Sequence, residues 1–382
     1  MRFSSVVWVP LLALSTAAYT PASTANTDQL AADAISNLAT WAADGNINGT
    51  CTLENAAVRK EWGNLTETER SNYTSSFPVQ SLGESLKAFE YPGATLADIT
   101  SYDDFLYQHI NQTLTIHNTA CYNTFILLSQ IWFVYTYEQA LRDECGYTGY
   151  QPAADPVNSP IFDGGDYSLS GNGVYEAHNC TEGLPSDLSC IPAGSGGGCI
   201  YSGPFKNSTV HLGPVSPTLA ESEIVSNNGT IYNPRCLKRD VSSWVSTRWS
   251  TEENSTTLIT ENSDIYSFQN TMQGNFTAGN YGVHGAGHFT IGGDPGGDIY
   301  TSPGDPVFWL HHGQIDRTWW IWQNQDIASR QNAISGTITM YNSPASRNGT
   351  LDDILYLGVN ADDIAIKDVM STVEGPFCYI YM

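Results

Sequence analysis

The sequence predicts a single, mainly α-helical domain interrupted by one long irregular excursion. Three observations carry this. Apolar residues recur at three- and four-residue spacing in several separate stretches. Between residues 147 and 240 that periodicity gives way to recurring Gly, Pro, Ser, Asn and Asp. No internal repeat and no clear linker divides the 382 residues, a length that fits one to three domains.

The first predicted helix runs from Thr27 to Asp44, with Leu30, Ala31, Ile35, Leu38 and Trp41 in phase. Val58 to Tyr73 reads as a second, charged on one face, and Pro78 to Leu86 starts a short helical piece. Ser101 to His117 is a third helical stretch, with Phe105, Ile110 and Leu114 aligned. Phe125 to Asp143 is a long apolar helix that Gly146 ends. Helical character returns at Ser263 to Gln273, around His284 to Phe289, and at Pro306 to Gln325.

The excursion lacks periodicity, and a loop of such length is usually functional. It holds Cys180, Cys190 and Cys199, which suit a staple. The chain has eight cysteines, an even number that in a secreted protein allows up to four disulfides. Cys51 and Cys378 lie near the two ends of the mature chain and can tie them together. No C-x-x-C occurs, which argues against a cysteine-only zinc site.

Residues Met1 to Ala18 read as a secretory signal: Arg2, the apolar run Val6 to Leu14, then the small residues Ser15 to Ala18. The run is too short to span a bilayer, which needs about 20 apolar residues. Ten N-x-Ser/Thr sequons agree with secretion and glycosylation: Asn48, Asn64, Asn72, Asn111, Asn179, Asn207, Asn228, Asn254, Asn275 and Asn348. Hydrophobic residues make up 41 %, enough for a sizeable core, and only 14 % are charged. With 15 Lys+Arg against 39 Asp+Glu the net charge is -24, which excludes nucleic-acid and anionic-membrane partners that need a basic footprint.

The eight histidines carry the chemistry. His284 and His288 are four apart, so on a helix both imidazoles can reach one metal ion. Asp305 to Arg317 then places His311 and His312 side by side in an aromatic segment, where burial without ligands or partners is costly. Asp316, four residues after His312, can orient a neighbouring imidazole or pair with Arg317. Trp319, Trp320 and Trp322 continue the aromatic face as core packing.

The stretch from Tyr281 to Gln323 resembles the second metal-binding half of the tyrosinase, catechol oxidase and haemocyanin superfamily. The D-P-x-F-W-x-x-H-x-x-x-D core, here Asp305 to Asp316, carries the resemblance. It implies that His284, His288 and His312 hold the second metal, with His311 a neighbour. The first half is similar too. Val58-Arg59-Lys60-Glu61-Trp62 resembles an early V-R-x-E-W, and Tyr102-Asp103-Asp104-Phe105 leads to His109. His109 and His117 map onto the first two ligands of the first metal. Phe133 to Pro152 resembles the next family segment, but Gln130 stands where its third histidine belongs. The interval from His117 to Gln130 is about four residues longer than in the family. The family's P-Y-W-x-W is replaced by Pro152-Ala153-Ala154-Asp155-Pro156.

The resemblance implies a single tyrosinase-like domain over residues 19–382, a four-helix bundle around the metal with long disulfide-stapled loops. It implies one metal site with three imidazoles, because a neutral amide is a poor copper ligand beside imidazole; His178 and His211 are the only other histidines able to substitute. Three imidazoles with an open position suit catalytic zinc. These departures are similar to those of the fungal cyclopenases, tyrosinase-like zinc proteins of quinolone alkaloid pathways. That similarity implies a zinc-dependent lyase acting on a small aromatic alkaloid. The reaction contracts a cyclopenin-type benzodiazepinedione epoxide to a viridicatin-type quinolone, with loss of methyl isocyanate. His109 and His117 are then the candidate proton carriers. The alternative is a copper-dependent oxidase of phenols, catechols or aminophenols.

Overall fold

The computed structural model describes residues 24–76, 93–95, 98–113, 124–153, 160–179, 191–216, 219, 229–339 and 342–382. The signal-like segment, the piece expected at Pro78 to Leu86, and His117 lie outside these residues. Among the described residues no helix is long and apolar enough to cross a membrane.

The helical scaffold follows the hydrophobic spacing. Helix α1 (Ala25–Ala43) buries Ala31, Ala34 and Leu38. The expected helix from Val58 to Tyr73 is a correction: the chain makes strand β1 (Ala57–Arg59), a 3-10 turn (Trp62–Asn64) and helix α2 (Glu67–Ser76). Thr66 decides where α2 begins. Its backbone N–H donates to the Glu69 carboxylate at 2.7 Å, and the Glu69 N–H donates back to the Thr66 hydroxyl at 3.2 Å, a reciprocal cap. The backbone before it is claimed by a distant partner, since Ala57–Arg59 pairs in parallel with Tyr379–Tyr381.

Helix α3 (Ser101–Gln112) starts at a Thr100–Asp103 capping box. Helix α4 (Thr124–Cys145) stops at Gly146, whose φ of 69° only glycine adopts readily. The excursion contains two short antiparallel pairs, β2 (Gly173–Tyr175) with β3 (Gly197–Ile200), and β4 (Thr209–Val210) with β5 (Arg235–Cys236). Two helices that hydrophobic spacing missed follow it, α5 (Ser243–Trp249) and α6 (Glu252–Glu261). Their signal is in the caps, where the Ser242 and Thr251 hydroxyls accept from the N–H groups of Val245 and Asn254. Helices α7 (Ile265–Gln273), α8 (Gly282–Ile291), α9 (Val307–Gln325) and α10 (Ile327–Arg330) complete the scaffold. Strands β6 (Ile354–Leu355) and β7 (Ile364–Ala365) pair with each other, and β8 (Tyr379–Tyr381) returns to β1.

Helices α3, α4, α8 and α9 form the four-helix core. Tyr137 of α4 stacks on Trp309 of α9 at 3.6 Å between ring centroids, and Phe105 of α3 meets both edge-on at 5.5 and 5.8 Å. Helix α9 is buried on nearly all sides, against α1, α4, α6 and α8, which its Trp and Ile content permits. Cys51 and Cys378 form the expected tie between the ends, and Cys199 bonds Cys236 within the excursion. Cys121, Cys180 and Cys190 lie outside the described residues, and Cys145 forms no disulfide with a described residue. Of the sequon asparagines, Asn228 is not described, Asn254 is half-buried and the others are exposed.

Asp316 neither orients an imidazole nor pairs with Arg317. Its Oδ2 accepts from Arg59 at 3.0 Å and from the hydroxyls of Tyr379 and Tyr381 at 2.8 and 2.6 Å. Arg317 reaches Asp28 instead, at 3.2 Å. The Arg59 guanidinium also grips Glu138 at 2.9 Å and lies over the Tyr379 ring at 3.6 Å. One cation thereby joins α4, α9, β1 and β8. Replacing Arg59 with methionine leaves two carboxylates buried without their cation and should cost about 3–5 kcal/mol. Denaturant unfolding of Arg59→Met checks this; an unchanged midpoint refutes it.

Candidate metal centre

Helix α8 is an unlikely helix by composition, because Gly282, Gly285 and Gly287 each cost about 1 kcal/mol against alanine. Space explains all three, Gly282 by its approach to the Met272 carbonyl and the other two by ring contacts. A β-carbon at Gly287 would fall 2.0 Å from the His311 ring, and one at Gly285 would fall 2.7 Å from the Phe276 ring. Gly287 lets α8 approach α9 closely enough for histidines from both helices to meet. The start of α9 is held by Asp305, whose carboxylate accepts from the Val307 N–H at 2.9 Å and pairs with Arg239 through two bonds of 2.8 Å. That ion pair is fully buried, and Arg239 also donates to the carbonyls of Leu169, Ser170 and Gly171.

The structure brings His284, His288, His311 and His312 together, with one ring nitrogen of each within 4.8 Å of the others. Centroids of His284, His288 and His312 form a near-equilateral triangle of 5.1, 5.1 and 5.2 Å. The Nε2 atoms of His288 and His312 face each other at 3.3 Å. His284 donates from Nδ1 to the Gln273 amide oxygen at 2.7 Å, which leaves its lone pair on Nε2. His311 donates from Nε2 to the His284 carbonyl at 2.9 Å while its ring stacks on His284. Its role in the cluster is thus already occupied at one nitrogen.

Burial pushes the His109 and His284 imidazoles down to about 4 and His311 to about 3, and holds His312 well below its usual 6.5. All four are neutral near pH 7, the state that binds metal. Among the described residues, the buried His284 Nε2 and His312 Nδ1 find no hydrogen-bond partner. The 3.3 Å between the His288 and His312 Nε2 atoms also matches a shared cation: ligands about 2.0–2.1 Å from zinc at tetrahedral angles lie about 3.3–3.4 Å apart. The donor set fits a three-imidazole metal site.

His109 lies beside this cluster. Its Nδ1 donates to the Tyr300 carbonyl at 2.8 Å, and its ring contacts Phe308 at 5.4 Å, which itself packs on His312 at 4.2 Å. Gln130 is buried on α4, and His117 lies outside the described residues. Neither other histidine joins the cluster: His178 pairs with Asp240 at 3.0 Å, and His211 with Asp103 at 3.0 Å. The supporting contacts from Gln273 and Tyr300 escape sequence reading, since a single Gln and a backbone carbonyl carry no motif. The Asp305-Pro306 signature marked only one half of the Arg239 pair.

A model of the common central domain of tyrosinase matches residues 99–325. The chain belongs to the tyrosinase family. Among this family it is 36 % identical over 342 residues to Tyrosinase P of Aspergillus terreus, covering 85 % of this chain and 91 % of that one. It is 35 % identical over 353 residues to the N-acetyl-6-hydroxytryptophan oxidase of Emericella nidulans, covering 87 % and 93 %. The structure of a polyphenol oxidase (mutant G292N) from Thermothelomyces thermophila superposes with a TM-score of 0.84 at 38 % identity, covering 94 % of this chain and 98 % of that one. Tyrosinase-family proteins are metal proteins, and the histidine cluster falls inside the matched central domain.

His284→Ala, His288→Ala and His312→Ala should each release the metal and abolish turnover, while His311→Ala should retain more of both. Metal content and turnover across the set, with circular dichroism as fold control, read the outcome. If His312→Ala kept full metal while His311→Ala lost it, the ligand assignment would be wrong. Metal-free protein should also lose stability as pH falls from about 6.5 towards 4. In that window the unfolded chain takes up protons that folded His109 and His284, at about 4, do not. Denaturant unfolding after chelation, at several pH values, tests this; a flat profile over the window refutes it.

Proposed function

We propose that this tyrosinase-family enzyme works at one metal, zinc, and catalyses a redox-neutral change of a small aromatic alkaloid. The observation that carries the reading is the contrast between the two halves. Three imidazoles converge at His284, His288 and His312, whereas Gln130 occupies the position of the family's third histidine in the first half. The reaction we assign is contraction of a cyclopenin-type benzodiazepinedione epoxide to a viridicatin-type 3-hydroxy-4-arylquinolin-2-one. An aryl carbon bonds to the epoxide carbon as its carbon–oxygen bond breaks, methyl isocyanate departs, and hydrogens redistribute within the product. No electron acceptor is needed.

When bound, zinc supplies Lewis acidity towards an epoxide or amide oxygen. The rest falls to the chain. His109 is held with Nδ1–H on Tyr300, so Nε2 is its basic nitrogen and can take and return a proton. Phe133 and Phe308 flank its ring at 6.0 and 5.4 Å and keep water from it. His117 is the second proton carrier in this reading. The Cys51–Cys378 and Cys199–Cys236 disulfides support passage through the secretory pathway, where the exposed sequons can be glycosylated.

A second reading, a copper-dependent oxidase of phenols, catechols or aminophenols, is favoured by the relatives whose names describe oxidases. Elemental analysis joined to turnover separates the two. About one zinc per chain, with conversion of cyclopenin to viridicatin and no oxygen uptake, supports the first. Two coppers per chain, a peroxide-type absorption band and oxygen uptake with a catechol would put the second in its place. Gln130→His should not by itself create a catechol oxidase, because the lengthened interval after His117 displaces that side chain.

A further inference from the structure

The contact between Gln273 and His284 has a specific geometry. Gln273 is the last residue of α7, and its amide oxygen accepts the His284 Nδ1–H at 2.7 Å. An amide oxygen only accepts, so this bond selects one imidazole tautomer and directs the lone pair to Nε2. That Nε2 is buried and, among the described residues, meets no hydrogen-bond donor. It is the atom of His284 aimed into the histidine cluster.

The chain is built to bring this amide here. Gly274 has φ of 79° and Gly282 has φ of 56°. A β-carbon at Gly274 would fall 2.4 Å from the Gly282 nitrogen, and one at Gly282 would fall 2.3 Å from the Met272 carbonyl. The end of α7 therefore abuts the start of α8 through two glycines that nothing larger can replace without moving the backbone. Across that junction, Gln273 and His284 are eleven positions apart. From the other side, His311 donates to the His284 carbonyl at 2.9 Å. Side chain and backbone of His284 are thus each fixed by one bond.

We propose that Gln273 is a positioning residue for the metal centre: by accepting the Nδ1–H of His284 it sets that histidine as an Nε2 ligand. This rests on the metal-centre reading above. Partners of this kind orient a ligand and raise its basicity, and their loss typically weakens metal binding 10–100-fold. Glutamine does this without adding charge, which suits a site whose neighbours are neutral imidazoles.

The test measures dissociation constants for Zn(II) and Co(II) by chelator competition on the full chain. Gln273→Leu should weaken both about 10–100-fold and change the visible spectrum of the Co(II) form. Gln273→Glu keeps an acceptor of similar reach and should stay within a few-fold of the parent protein. Wild-type affinity in a folded Gln273→Leu variant overturns the proposal. So does a Glu variant as weak as Leu. If His284→Ala itself bound metal like the parent, the metal-centre reading would fail, a result distinct from failure of Gln273 alone.

Discussion

A β-carbon on Gly287 would fall 2.0 Å from the His311 imidazole, and this contact sets how closely α8 and α9 approach. The metal centre depends on that separation. His284 and His288 come from one helix and His312 from the other, so their nitrogens meet only if the two axes are near. The glycines that allow it weaken α8 as a helix. Tertiary packing around Tyr281, Ala286 and Phe289 compensates, with Val245 and Ile191 covering the same cluster.

Helix α9 is held at both its start and its middle by buried ion pairs. Arg239 with Asp305 fixes the first turn, and Arg59 with Asp316 fixes a point one turn beyond His312. Buried pairs are weak as sources of net stability, because desolvation offsets much of the attraction. Their value here is placement. Each arginine spends its donors on several partners from different segments, so any shift of α9 would leave charges unpaired. The excursion is part of this arrangement, since Arg239 and the carbonyls of Leu169 to Gly171 belong to its walls.

The first half of the site is organised differently. His109 is anchored to the Tyr300 carbonyl, and Asp298 shapes the turn before it by accepting from Tyr300, Val215 and Ser216. Gln130 is buried on α4. The His109 imidazole sits among Phe133 and Phe308, where burial holds it neutral.

Much was legible from the residues themselves. Helical spacing located α1, α3, α4, α7 and α9, because a long amphipathic or wholly apolar helix advertises its period locally. The pairing of Cys51 with Cys378 followed from where the two lie, and the family resemblance of the aromatic motif singled out His284, His288 and His312, which the structure brings together with His311. Residues 58–66 carry helical spacing yet form strand and turn, since the parallel partner that claims Ala57–Arg59 lies more than three hundred residues away. Helices α5 and α6 announced themselves only in their caps. Asp316 was assigned to a near neighbour in sequence, but Arg59 and two tyrosines reach it through space. Gln273 belongs to the same class. Local sequence determines period, caps and ligand spacing, because those depend on residues a few positions apart. Which buried polar atom meets which is decided only when distant segments are packed together, for no chain-local pattern records the partner.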